Sequence, residues 1–187
     1  MNLPELQQDD ALRRRQFPVC TDKVYLAHAG VSPVPACVER AVAAAVSTAA
    51  REDQEEGLGP LLRQTRARAS ELLGADPSEV ALLGPTTAGL SAVAAGLDWQ
   101  VGDEVLIYQD DFPVNVYPWL ALETRGVMVR RLQTPALGHI TPELVLEQLT
   151  DKTRLVALAS CHFVSGWRID HDAIGRELRA RDILFCL

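Results

Sequence analysis

The chain has no excess of basic charge: 25 acidic residues face 18 basic ones, for a net charge of −7. That excludes a nucleic-acid binder, because a surface that tracks phosphates needs a surplus of lysine and arginine. The one basic cluster, Arg13-Arg14-Arg15, shares its segment with Asp9 and Asp10 and reads as a solvated helix face. No apolar run reaches the roughly 18 to 20 residues that a membrane-crossing helix needs. The opening MNLPELQQDDALRRR has no apolar core of the secretory kind, so neither a membrane partner nor export is expected. Cysteine pairs are missing too. Cys20, Cys37, Cys161 and Cys186 are far apart, and with His28, His139, His162 and His171 they make no metal-ligand spacing. Reduced thiols in a cytoplasmic protein without a metal are the expectation, with Cys161 as a buried thiol.

What is present is a globular composition, 48% hydrophobic and 23% charged over 187 residues. Residues 1–16 read as a short helical arm and Lys23–Ala27 as a short strand. Pro33 and Pro35 lead into an alanine-rich helix over about residues 36–52, and EDQEEGLGP reads as a break. A second helix carries Leu61, Leu62, Thr65, Ala69, Leu72 and Leu73 on one stripe and ends at Gly74.

From residue 80 the pattern alternates short apolar runs with helices. Strands are expected at 80–83, 104–108, 127–132, 155–159 and 183–187, with helices at 87–97, 116–124, 142–149 and 171–181 between them. Apolar runs of this kind belong to a mainly parallel sheet covered by helices on both faces, an α/β three-layer sandwich. The run ILFCL closes the chain as a core strand with nothing after it, which reads as truncation.

Three segments could carry chemistry, and each follows an expected strand. In Gly84-Pro85-Thr86-Thr87-Ala88-Gly89, the amides and hydroxyls of a helix start could hold a phosphate, or Thr86 could be a simple N-cap. In Asp110-Asp111-Phe112-Pro113-Val114-Asn115, Phe112 could offer its face to an aromatic ring, or lie in the core while Asn115 caps the next helix. In Ser160-Cys161-His162-Phe163-Val164-Ser165-Gly166, His162 could bond a ligand oxygen or be structural. Loops at the carboxyl ends of parallel strands converge on one crevice, so the three point to a common site.

Read together, VYLAHAGVSPVP, LLGPTTAGLSAVAAGL, GDEVLIYQDDFPVNVYPW and LVALASCHFVSGWRID resemble the class V aminotransferases, within the fold-type I pyridoxal-phosphate enzymes. The likeness is to the branch with kynureninase, isopenicillin-N-epimerase-like proteins and cysteine desulfurases, and it runs from about Tyr25 onward. It implies pyridoxal 5'-phosphate as cofactor, with Thr86 and Thr87 at its phosphate, Phe112 stacked on its ring, and Asn115 and His162 beside it. It implies that His28, Ala29 and Gly30 approach the carboxylate of a small amino-acid substrate. It also implies a cytoplasmic homodimer for the complete protein. Residues 1–30 become an arm with a first short strand, and 31–187 the large cofactor-binding domain, incomplete at its end.

The resemblance also marks departures. The family's Schiff-base lysine matches neither Lys23 nor Lys152, and the aspartate that pairs with the pyridine nitrogen is expected just past Leu187. The chain alone is therefore expected to carry no catalytic residue and to be inactive. The implied chemistry is transamination, desulfuration or lyase cleavage of an amino acid; the alternative is a non-catalytic binding or interaction module on the same fold. A hydrolase using Ser160 or Cys161 lacks the G-x-S-x-G elbow such an enzyme needs.

Overall fold

The structure is a computed structural model and describes residues 3–28 and 30–187. Its contacts divide the chain into two compact units, one up to Leu82 and one over Leu83–Leu187.

The first unit is helical. α1 (Leu3–Gln8) and α2 (Asp10–Gln16) form the expected arm, with the Asp9 carboxylate capping α2 at Leu12 N. α3 (Ala36–Ala49) is the alanine-rich helix, and α4 (Glu55–Leu73) ends at Gly74, whose φ of 65° closes it in the left-handed conformation.

The first unit departs from expectation at three places. The EDQEEGLGP break is shorter than expected: it covers 52–54, and Glu55 to Pro60 are the first turns of α4, with Pro60 inside the helix. Glu55 and Glu56 in the first turn favour the positive helix end, which offsets part of the proline's cost. Lys23–Ala27 forms no strand, and Val24 and Leu26 stand exposed. A β-prone run gives suitable dihedrals but not a ladder partner, and a strand needs both. The same applies to the expected strand at 80–83: Val80 is extended, at φ −104° and ψ 114°, but no described residue pairs with it.

The second unit is the α/β body. Its sheet holds β1 (Glu104–Ile107), β2 (Met128–Arg131), β3 (Thr153–Ala157) and β4 (Leu184–Cys186), all parallel, in the order β2-β1-β3-β4. Side chains alternate across the sheet. Val105, Ile107, Leu155 and Ala157 pack against α5 (Thr86–Gly96) and α6 (Tyr117–Leu120), through Ala94, Val116 and Trp119. Leu106 and Val156 face the other way, against α7 (Pro142–Glu147) and α8 (His171–Ala180), through Val145, Ile174 and Leu178. Fully burying each such aliphatic side chain contributes about 1.5–3 kcal/mol, so both central strands are clamped from two sides. This is the three-layer sandwich with a parallel sheet.

The helix expected over 116–124 is broken into a 3-10 turn at Pro113–Asn115, the single turn of α6, and a 3-10 stretch Ala121–Arg125 that ends at Gly126 (φ 82°). Pro113 and Pro118 each sit at the start of a helical piece, where their missing N–H costs little.

Candidate functional site at the strand switch

From β1 the chain moves outward to β2, then crosses back over β1 to β3 and continues outward to β4. The connections leaving β1 and β3 thus run to opposite sides, and a crevice opens between their carboxyl ends. The loops that meet there hold two of the three candidate segments.

Asp111 joins them. It is buried, and its Oδ1 accepts from Phe112 N at 2.6 Å. Its Oδ2 accepts from Ala159 N, beyond β3, at 3.0 Å, and from Asn115 Nδ2 at 3.3 Å. Hydrogen bonds to a charged acceptor contribute about 1.5–3 kcal/mol each, so this carboxylate pins both loops and fixes the backbone of Phe112. The Asn115 amide is used in the same junction.

Beyond β3, residues 161–168 form a small hairpin. Cys161 pairs with Arg168 in an antiparallel bridge, His162 N donates to Trp167 O at 2.9 Å, and Gly166 N donates to His162 O at 2.9 Å. Strand alternation turns His162 inward and its neighbours outward. His162 is buried, while Cys161 and Phe163 are exposed. This corrects the expectation of a buried Cys161 thiol: its Sγ lies outside, 3.5 Å from Gly166 O. Both His162 ring nitrogens are engaged inside the protein, Nε2 with Asp110 O at 3.0 Å and Nδ1 with Ser165 Oγ at 2.9 Å. In this arrangement neither nitrogen is left over for a ligand.

The outward side chain, Phe163, meets Phe112 edge to face, with ring centroids 5.3 Å apart at 86°. Each ring is about half exposed, 51% for Phe112 and 52% for Phe163, so the pair presents aromatic surface to solvent at the carboxyl edge of the sheet.

Thr86 and Thr87 are the first two residues of α5, both exposed. The N-cap is Pro85, not Thr86, and no side chain caps this end. The Thr86 and Thr87 amides and the two hydroxyls are therefore free to meet an anion, while Ala88 N donates to Pro85 O at 2.8 Å. α5 packs against the Pro113–Asn115 turn and α6, so it belongs to the same side of the sheet as the Phe112 loop. No hydrogen bond or ring contact joins the threonines to Phe112 or His162 among the described residues.

In the first unit, His28 is exposed and stacks edge-on to Tyr25 at 5.1 Å, in a turn closed by Gly30 N donating to Ala27 O at 3.2 Å. Ala29 lies outside the described residues. Lys152 sits in the turn that enters β3, at the amino edge of the sheet, where its carbonyl accepts from Glu104 N at 2.9 Å. At about 3.3 Å per residue, the length of β3 separates its backbone from the cleft by more than 15 Å.

Sequence reasoning missed Asp111 and Phe163 as site residues. Each is the immediate neighbour of a residue that was singled out. The signal for Asp111 was a second carboxylate at a strand end that would be buried; for Phe163 it was the alternation that sends either 162 or 163 outward.

The fold is an open parallel α/β domain whose β1 and β3 loops meet at its switch point, with the uncapped start of α5 on the same side of the sheet as the Phe112 loop. Residues 24–187 match the family model of the class-V aminotransferases, and the chain belongs to that family. A probable cysteine desulfurase of Methanothermobacter thermautotrophicus is 28% identical over 169 residues, which are 87% of this chain and 42% of that protein. A probable cysteine desulfurase of Pseudomonas aeruginosa is 32% identical over 105 residues, 54% of this chain and 26% of that protein. Among solved structures, the cysteine desulfurase CsdA of Escherichia coli superposes with a TM-score of 0.82 at 25% identity, over 95% of this chain and 47% of that one. The cystine C-S lyase C-DES, in complex with its product cysteine persulfide, gives a TM-score of 0.82 at 23% identity, over 91% and 47%, and shares the fold. The chain thus spans about half the length of the proteins it matches.

Proposed function

We propose that this chain forms the cofactor-gripping part of a pyridoxal 5'-phosphate enzyme that acts on a small amino acid. The carrying observation is the junction at the β1/β3 switch, where Asp111 and His162 lock two loops so that Phe112 and Phe163 meet edge to face with about half of each ring exposed. The donor set fits the cofactor. The uncapped start of α5, with Thr86 and Thr87, suits a dianionic phosphate, and the half-exposed face of Phe112 suits a pyridine ring. When bound, the cofactor supplies an electron sink for bonds at the substrate α-carbon.

This chain's residues would bind and orient it. Thr86 and Thr87 hold the phosphate, Phe112 limits the tilt of the ring, and Asn115 and His162 act on the ring's surroundings through Asp111 and Asp110. The turn at His28–Gly30 is the proposed approach for the substrate carboxylate, and residues 31–187 the proposed cofactor-binding part. The relatives favour desulfuration or C–S lyase chemistry over transamination for the whole protein, which we take to be a cytoplasmic homodimer. The Schiff-base lysine is neither Lys152, which lies at the wrong sheet edge, nor Lys23.

Equilibrium dialysis with pyridoxal 5'-phosphate tests the reading. Binding should be displaced by inorganic phosphate, weakened by Thr86→Val with Thr87→Val, weakened by Phe112→Ala, and unchanged by Lys152→Ala. Binding that depends on Lys152 and not on the threonines would overturn it.

A further inference from the structure

Polar groups from several loops cluster around the His162 imidazole that the cofactor reading already draws on. The Ser165 backbone N–H points at His162 Nδ1 from 3.1 Å, so that nitrogen accepts. Ser165 Oγ accepts from Trp167 N at 3.3 Å, which leaves its own proton for the same Nδ1. The ring proton therefore sits on Nε2 and is donated to Asp110 O. A third loop closes on the ring from the carboxyl end of β2. Gly138 holds φ +72°, and a Cβ there would lie 2.6 Å from His162 Cγ and 2.5 Å from Ser165 Oγ. Its N–H donates to the buried Tyr108 hydroxyl at 2.9 Å, and the Tyr108 ring meets His162 edge-on at 5.7 Å.

We propose that His162 is a positioning residue: its Nε2–H imidazole ties the loops after β1, β2 and β3 together and so sets the angle between the Phe112 and Phe163 rings. It acts on a bound ligand through those rings and does not touch the ligand with a nitrogen. Asp110 stands two residues before Phe112, and Phe163 follows His162 directly, so one imidazole reaches the Phe112 ring through two peptide links and the Phe163 ring through one. The inference deepens the cofactor reading and rests on it for the identity of the ligand.

Hydrogen-exchange mass spectrometry of the chain carrying His162→Ala, His162→Gln or His162→Asn tests it. Removing a buried hydrogen bond is worth about tenfold in a local opening equilibrium. His162→Ala should therefore speed exchange about tenfold in 110–112 as well as 161–167, with β1 and β3 unchanged, and should speed it by less in 138–140, which meets the ring through packing alone. Glutamine, which can restore a donor toward Asp110 O, should rescue 110–112. Asparagine, which can restore an acceptor toward Ser165 N, should rescue 162–167. In a ¹⁵N spectrum, Nε2 should be the protonated ring nitrogen.

With pyridoxal 5'-phosphate and inorganic phosphate as separate probes, His162→Ala should weaken the first and leave the second unchanged. Exchange confined to 161–167, a proton on Nδ1, or unchanged pyridoxal-phosphate affinity where the wild type binds would each overturn the proposal. A wild-type chain that binds no pyridoxal phosphate overturns the cofactor reading instead, and the exchange pattern alone then decides the tie.

Discussion

At the scale of single residues, the four cysteines show how local placement sets chemistry. Cys37 and Cys161 are exposed, whereas Cys186 lies half-buried in β4, and burial pushes its thiol above the usual range. Thiolate is the reactive form, so accessibility and pKa act in the same direction. Iodoacetamide at mild alkaline pH should label Cys37 and Cys161 first and Cys186 last, with the difference erased in denaturant; peptide mass spectrometry reads the order. Equal rates in the native chain would mean that Cys186 is not packed against the core on the α5 and α6 face of the sheet. Asp111 makes the complementary point. Its carboxylate is buried yet accepts three hydrogen bonds, and it holds two loops that are 48 residues apart in sequence.

At the scale of elements, the amino edge of the sheet is tied as firmly as the carboxyl edge, by different chemistry. Asp103 Oδ2, just before β1, accepts from Gln100 N at 2.8 Å and from Arg154 NH1 of β3 at 2.8 Å. The backbone hydrogen bond first, and then the arginine's hydrogen bond and charge, hold its carboxyl below the usual carboxylate range. Because the folded pKa lies below the unfolded one, this stabilisation is fully present above the unfolded value near 4 and is lost as pH falls through the folded value. Urea denaturation at pH 6 and pH 3 should show Asp103→Asn lowering stability at pH 6 and narrowing the gap between the two conditions. An acid sensitivity identical to wild type would remove Asp103 from the account. The failed strand expectations also belong at this scale, since KVYLA and VALL have strand composition but no described neighbour.

At the scale of the whole molecule, the first unit presents apolar side chains that its own helices do not cover. Val42 and Val46 on α3 and Leu61, Leu72 and Leu73 on α4 are exposed, Leu72 by 87%. The stripe predicted for the second helix exists, but no described residue buries it. Faces of this kind mark surfaces that meet other protein. The isolated chain should therefore associate with itself at micromolar concentration, and Leu61→Glu with Leu72→Glu should reduce that association while leaving the near-UV spectrum of the second unit unchanged. Analytical ultracentrifugation decides, and a clean monomer for the unaltered chain counts against the expectation.

Much of the second unit was legible in the linear order of residues, because a strand buried on both faces must be apolar throughout and a helix covering it must repeat every three to four residues. Two of the three candidate segments could be located for the same reason, each being a loop after such a strand, whereas the segment at 84–89 follows residues 80–83, which form no strand. The strand order β2-β1-β3-β4 could not be read that way, since short apolar runs carry no information about their neighbours. That order alone creates the switch point. It also decides that His162 turns into the protein and Phe163 out of it, because a hairpin side chain can face only one way once its backbone partner is chosen. Residue types were thus determined locally, whereas the contact between Phe112 and Phe163 exists only because long-range backbone pairing brings two distant loops to one edge.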